Sequence, residues 1–341
     1  MTKASADPER FELRALVAPD DFKGTFTAPD VAAAISRGLR AVGVESDELP
    51  IADGGDGTME ALTASLGGEM RAARVADPLG RHVDARWAML PDGRTAVVEM
   101  AEASGLRRVA EAERDPWHAC TRGTGELIVA AALAGAARVL VAVGGSATID
   151  GGAGAVDALR EAAVKVQITV ICDVRVPFED CARVFGPQKG ADPDMIERLT
   201  RRLRDLAEAA PRDPRGRPMT GAAGGLSGGL WAHCNAELVD GARFVLDAVG
   251  FDERLRAATL AVSGEGKLDE QTLTGKAIAE VSRRCRAAGR PMHAVVGTSV
   301  LGAGAVDRLG LASVREATTL EELEAAGRDL ASSLRRQGAA R

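Results

Sequence analysis

The chain has 341 residues, 46% hydrophobic and 27% charged, with a net charge of −6 and no long run of Lys or Arg. At about 100–200 residues per domain that length calls for two domains or three, and the acidic balance with only 3% aromatic residues excludes a nucleic-acid surface or a base-stacking platform. Five scattered cysteines without a CxxC pair exclude a disulfide framework and a zinc ribbon, so a reducing cytoplasm is expected. The most apolar stretch, Leu127 to Val143, is broken by Gly135 and Arg138, so no membrane span is expected. Residues 1–12 carry Asp7, Glu9 and Glu12 and no apolar signal segment, and read as a disordered tail.

Leu13 to Ala18 is a short apolar run that ends at Pro19 and Asp20-Asp21, the pattern of a buried strand with a loop at its carboxyl end. Thr27 with Asp30 forms a capping box, Pro29 sits in the first turn, and Val31, Ile35, Leu39 and Val42 recur at helical spacing up to Gly43. A second βα unit follows: Asp47 to Ala52, the loop Asp53-Gly54-Gly55-Asp56-Gly57, and a helix over 58–66. Between 71 and 101 three extended segments are punctuated by Pro-Leu-Gly and Pro-Asp-Gly turns, which predicts an antiparallel meander and a second domain inserted into the first. Alternation resumes with a helix over 126–133, strands over 138–143 and 168–172, a strand over 259–263, a helix over 276–287, a strand over 292–296 and a terminal helix over 320–335. The expected division is a tail 1–12, one α/β domain from 13–68 and 258–341, and an inserted α/β domain over 69–257.

Four glycine-rich loops stand out: Asp53 to Gly57, Gly144 to Gly152, Gly221 to Gly229, and Gly264-Glu265-Gly266-Lys267-Leu268-Asp269. Glycine permits positive φ and close approach of a ligand, and a following helix N-terminus presents unpaired N–H groups, for which phosphate is the natural partner. No P-loop or GxGxxG pattern is present, so the cradle is of another type. Asp20, Asp21, Asp53, Asp56, Asp150, Glu265 and Asp269 adjoin these loops, and carboxylates beside phosphate require a cation, for which magnesium is suited. A remaining carboxylate then accepts the proton of an attacking hydroxyl, while Lys23 and Lys276 neutralise charge on the transferred group. The bland reading is that Gly and Asp simply make turns. Lys189, in Gly186-Pro187-Gln188-Lys189-Gly190, reads as an exposed turn, either facing substrate or only turning the chain.

The segments Ala18 to Gly24, Ala52 to Thr58, Asp77 to Arg81, Glu99 to Ala101, Gly123 to Ile128, Gly144 to Gly152, Val184 to Gly190, Gly221 to Gly229 and Gly264 to Lys276 together resemble the type I glycerate kinases, in family order over most of the chain. The resemblance implies transfer of phosphoryl from ATP with Mg²⁺ to D-glycerate, giving 2-phosphoglycerate. It also implies a flavodoxin-like parallel-sheet domain split by an inserted α/β domain, with the active site in the cleft between them. The expected catalytic residues are Asp53, Lys23, Asp20 and Asp150. The expected ATP-binding residues are Gly54, Gly55, Asp56, Gly57, Gly144, Gly145, Ser146, Gly264, Glu265 and Lys276, with Asp56, Glu265 and Asp269 holding Mg²⁺. Partners are small molecules only, with no nucleic acid and no membrane; the sequence leaves both monomer and homodimer open.

Three departures from the family pattern are visible. Asp21 stands where the family usually has Ser, Ile149 where it has Asn, and the segment 154–167 is shorter than the usual helix, strand and linker. They motivate a rival reading as a non-catalytic glycerate or nucleotide sensor; the carboxylate and phosphate chemistry motivates another, a metal-dependent phosphohydrolase.

Overall fold

In the computed structural model the described residues are 13–22, 24–270, 272 and 276–339; the expected tail 1–12 and Lys23 lie outside them. The chain begins β1 (Arg14–Val17), α1 (Ala28–Ala41), β2 (Glu45–Glu48) and α2 (Thr58–Leu66). Then come β3 (Glu69–Ala76), β4 (His82–Met89), β5 (Thr95–Glu99), the short α3 (Met100–Ser104), α4 (Arg122–Leu133), β6 (Arg138–Ala142), α5 (Ala153–Ala162) and β7 (Gln167–Cys172). Four further helices, α6 (Cys181–Phe185), α7 (Pro193–Ala209), α8 (Leu226–Cys234) and, after β8 (Glu237–Asp240), α9 (Gly241–Ala248), lead to α10 (Phe251–Ala257). The chain closes with β9 (Leu260–Ser263), β10 (Lys267–Leu268), α11 (Ala277–Ala287), β11 (Met292–Val296), β12 (Thr298–Ser299), α12 (Ala303–Leu309), β13 (Leu311–Glu316) and α13 (Leu320–Ala339).

Contacts group these elements into two compact units. The first takes the described residues of Met1–Pro50, Gly250–Thr274 and Ile278–Arg341, the second those of Ile51–Val249 and Gly275–Ala277. The joins expected near 68 and 257 from the turn pattern thus fall at 50/51 and 249/250 in the contacts, because α2 and its loop pack with the second sheet: Met59 bonds to Glu99 at the end of β5.

The first unit is a five-stranded sheet of order β13-β11-β9-β1-β2, with every pairing parallel. Counted along the chain within this sheet the order is 2-1-3-4-5, that of flavodoxin-like doubly wound sheets, while β10 and β12 pair separately as a two-stranded sheet. Its central strands are buried almost throughout, as a sheet covered on both faces requires: Leu16, Val17, Ala261 and Val295 are fully shielded. On one face α1 and α13 cover Ala15, Val17, Val262 and Val295 with Ile35, Leu39, Leu323 and Leu330. Thr27 caps α1 as the sequence predicts, accepting the Asp30 N–H, but the reciprocal half of the capping box is replaced: the Asp30 carboxylate accepts the Thr27 hydroxyl rather than its backbone N–H.

The second unit is a mixed six-stranded sheet of order β3-β4-β5-β6-β7-β8. β3, β4 and β5 pair antiparallel, and β5 through β8 run parallel. Trp87, Val98, Val139, Val141 and Val170 meet Leu127, Ile128, Leu159, Leu226 and Leu230 of α4, α5 and α8 in its core. A smaller cluster, with Ile149, Phe178, Leu199 and Leu203, lies under α6 and α7. The short segment 154–167 still holds a complete crossover: α5 ends in a left-handed Ala163, and β7 pairs with β6 over five residues. Among the described residues no helix is long and apolar enough to cross a membrane.

Candidate active site

In parallel sheets the loops at the carboxyl ends of the strands form the natural ligand-binding edge. In the second unit that edge brings two of the predicted loops together. Gly144, directly after β6, lies so close to Gly55 that a Cβ on it would sit 2.4 Å from the Gly55 Cα, and the Val143 N–H donates to Gly54 O at 3.1 Å. Only glycine permits this backbone contact. At Gly145, with φ +64°, an added Cβ would meet both carboxylate oxygens of Asp56, at 2.6 and 2.7 Å. Asp56 is therefore pressed against a bare stretch of backbone, and its Oδ1 is buried with no hydrogen-bond partner among the described residues.

Asp53 is 5% exposed and closes a local turn, its Oδ1 accepting the Gly55 N–H at 3.0 Å. Gly57 precedes α2 as its left-handed cap. Two further acids complete this edge, neither of them named among the site residues expected from sequence. The Asp173 carboxylate, one residue beyond β7, lies 3.6 Å from where a Gly55 Cβ would be. Glu99, the last residue of β5, is 4% exposed and accepts the Met59 N–H at 2.8 Å. Burial, reinforced by the charge of Asp56, pushes its pKa up to about 7. Both were within reach of the sequence, Asp173 directly after the expected strand 168–172 and Glu99 near the end of the last extended segment before 101.

Ser146 forms a bridge to Gly105, and the flanking backbone is pinned on both sides, Leu106 N–H to Gly145 O and Ala147 N–H to Ser104 O. Its hydroxyl receives a hydrogen bond from Lys189 Nζ at 2.6 Å. Lys189 was expected in an exposed turn; it is 2% exposed, because the turn after α6 directs it inward to Ser146 and to Thr148 O at 2.8 Å.

Asp150 departs from its expected catalytic place. Its Oδ2 accepts from the N–H and hydroxyl of Thr121 and the N–H of Gly154, its Oδ1 from the N–H of Gly152, and the residue is 1% exposed. The first four N–H groups of α5 are all paired: Ala153 with Asp150 O, Gly154 with Asp150 Oδ2, Ala155 with Thr121 Oγ1 and Val156 with Gly152 O. This helix start is capped by protein and offers no vacant donor to phosphate, so Asp150 serves the scaffold. The Gly221 to Gly229 loop is likewise packing: Gly224 and Gly229 close on the backbone of Thr148 and Gly151.

The first unit carries its own group at the corresponding edge. Asp20, beyond β1, is 5% exposed, accepts the Asp21 N–H at 2.8 Å and donates its own N–H to Gly264 O. Gly264 follows β9 so tightly against β11 that a Cβ would meet Val295 O at 2.0 Å. Glu265, 6% exposed, accepts the Thr272 hydroxyl at 2.5 Å, and Asp269 pairs with Lys267 at 3.5 Å. Lys276, which groups with the second unit, immediately precedes α11. Among the described residues no three His, Cys, Asp or Glu side chains gather as a metal cage; a magnesium ion held by one or two carboxylates plus phosphate oxygens needs none.

The sequence model of the glycerate kinase family matches residues 15–164 and 159–340, two stretches that meet at the end of α5. The chain is 36% identical to the glycerate 2-kinase of Escherichia coli K12, over 89% of this chain and 90% of that one. It is equally 36% identical to the glycerate kinase of Bacillus subtilis 168, over 95% and 98%. A crystal structure of the Salmonella typhimurium LT2 protein assigned as glycerate kinase 2 superposes with a TM-score of 0.81 at 33% identity, covering 96% of this chain and 99% of that one.

Proposed function

The chain belongs to the glycerate kinase family, and from that premise we propose that it transfers the γ-phosphoryl group of ATP to the 2-hydroxyl of D-glycerate, giving 2-phosphoglycerate. The observation that carries the reading within the structure is Asp56: a buried carboxylate oxygen with no hydrogen-bond partner among the described residues, set against the glycine backbone of a second loop at the carboxyl edge of parallel strands. A buried anion without a donor is costly unless a cation meets it. Its hard oxygen suits Mg²⁺, so Asp56 is the residue we assign to the ion in the second unit, with Glu265 and Asp269 the candidates in the first. When bound, the ion neutralises charge on the polyphosphate and on the group being transferred.

The rest falls to the chain's own side chains. Asp53, oriented by the Gly55 N–H, takes the proton of the attacking hydroxyl. The Ser146 hydroxyl and the backbone of Gly54, Gly55, Gly57, Gly144, Gly145 and Gly264 contact anionic oxygens. Lys23 and Lys276 supply positive charge, and Asp20 orients substrate. Asp150 is assigned to the scaffold only. Incubating the protein with ATP, MgCl₂ and ¹³C-labelled D-glycerate and following the product by ¹³C and ³¹P NMR tests this: phosphorus coupled to C2 is expected. Phosphate release without acceptor would indicate a hydrolase, and binding without ADP formation a sensor.

A further inference from the structure

We propose that Lys189 is a positioning residue that acts through Ser146, fixing the serine hydroxyl as a donor to an anionic oxygen of bound nucleotide or glycerate. The inference rests on the kinase reading above and adds a residue to it. An ammonium group can only donate. When Lys189 Nζ approaches Ser146 Oγ at 2.6 Å, the serine oxygen must accept, and its hydrogen must point elsewhere. The Ser146 backbone is held by the bridge to Gly105 and the flanking bonds to Ser104 and Leu106, so the side-chain torsion and rotation of the O–H are the freedoms left to it, and the bond from Lys189 restrains both. Ser146 retains 8% exposure, next to the Gly145 backbone against which Asp56 is pressed.

Burying a lysine this deeply is expensive, and a neutral residue would pack the turn more cheaply. The groups facing it are few. Asp150 and Asp173 act on it by charge, the Cys181 thiol beside it stays neutral because burial pushes its pKa up to about 12, the Phe185 ring lies 5.8 Å away, and Arg114 and Asp115 line the same small void. Burial dominates over these and pushes the Lys189 pKa down to about 8. Above that pH the neutral amine becomes an acceptor, Ser146 turns its hydrogen inward, and the donor to substrate is lost.

The test compares wild type, Lys189→Met, Lys189→Arg, Ser146→Ala and the double variant Lys189→Met/Ser146→Ala, each first shown folded by thermal melting. kcat/KM with D-glycerate is expected to fall by roughly 10²-fold in Lys189→Met and in Ser146→Ala, the scale of losing one oriented donor. The double variant should be no worse than the poorer single, because both remove one interaction. Wild type should lose activity as pH rises through about 8, while Lys189→Arg, which stays charged, should recover part of the activity and lose that alkaline limb. Calorimetry with ATP alone and with D-glycerate alone identifies which oxyanion the serine meets: affinity for that ligand falls in both single variants. Lys189→Met within about threefold of wild type, or losses that multiply in the double variant, overturn the inference. Should Lys189→Met not fold, Lys189→Arg decides, an unchanged alkaline limb refuting the proposal. Wild type that binds ligand without transferring phosphoryl refutes the kinase reading instead, and leaves Lys189 and Ser146 to be judged by calorimetry.

Discussion

Replacing Glu99 by Gln tests the electrostatics of the candidate site without removing its geometry, since the amide oxygen still accepts the Met59 N–H. The folded pKa of Glu99 is about 7 against 4.5 for an ordinary glutamate, chiefly from burial and secondarily from Asp56. The folded state therefore holds the proton more tightly than the unfolded chain. Stability from this group is greatest below pH 4.5, declines as pH rises through about 7, and then levels off. Between about pH 5 and pH 8 the linkage relation gives a loss of about 2.5 kcal/mol for wild type that the glutamine variant escapes. All three tryptophans, Trp87, Trp117 and Trp231, lie in the same unit as Glu99, so urea unfolding followed by tryptophan fluorescence reads the right unit. The variant should gain on wild type by about that amount on going from acid to alkaline buffer. An equal difference at both pH values would show that Glu99 carries no buried charge and would refute the reasoning.

Asp53→Asn should lower turnover by at least ~100-fold while leaving the melting temperature near that of wild type, as loss of a base without loss of the Gly55 anchor requires; a loss under about tenfold removes Asp53 from the chemistry. Asp56→Asn should raise the magnesium concentration for half-maximal activity at least tenfold, roughly what losing even an indirect metal partner costs, and an unchanged magnesium titration contradicts the assignment. Asp150→Ala should act on stability instead, removing the α5 cap and its bonds to Thr121 for about 2–4 kcal/mol, read from urea midpoints; a fully stable but inactive variant would return Asp150 to the catalytic set.

Much of the fold is legible because local chemistry and burial agree. α1 is written in Thr27, Asp30, Pro29 and its apolar spacing, and the strands at 138–142 and 292–296 in short apolar runs. β5 is less so. It reads as the last meander strand, yet only two residue pairs join it to β4 while five join it in parallel to β6, a partner chosen by tertiary packing rather than by the turn before it. Among the helices between 181 and 257, α8 gives little signal: it is mostly apolar and carries Gly228 and Gly229, so it has no amphipathic stripe to find.

The site shows the same division. That the Asp53 and Gly144 loops follow strands was legible, but they follow β2 and β6, strands of different sheets, and it is the backbone contact of Gly55 with Gly144 that pairs them. What Asp150 does could not be read from residue type, since an aspartate before a helix suits a ligand site and an N-cap equally well; only the four bonds to its carboxylate decide. Lys189 was hidden for a related reason. Gly-Pro-Gln-Lys-Gly announces a turn but not the direction in which its lysine points, and that direction is set by Ser146 and Thr148, some forty residues earlier.

A coupled assay of ADP formation puts the whole account to its most direct trial, with purified protein, ATP and magnesium and with D-glycerate added or withheld. ADP should appear only when glycerate is present, one for each glycerate phosphorylated, and should vanish when magnesium is chelated. ADP formation that is indifferent to glycerate, or none from folded protein with both substrates saturating, would contradict it.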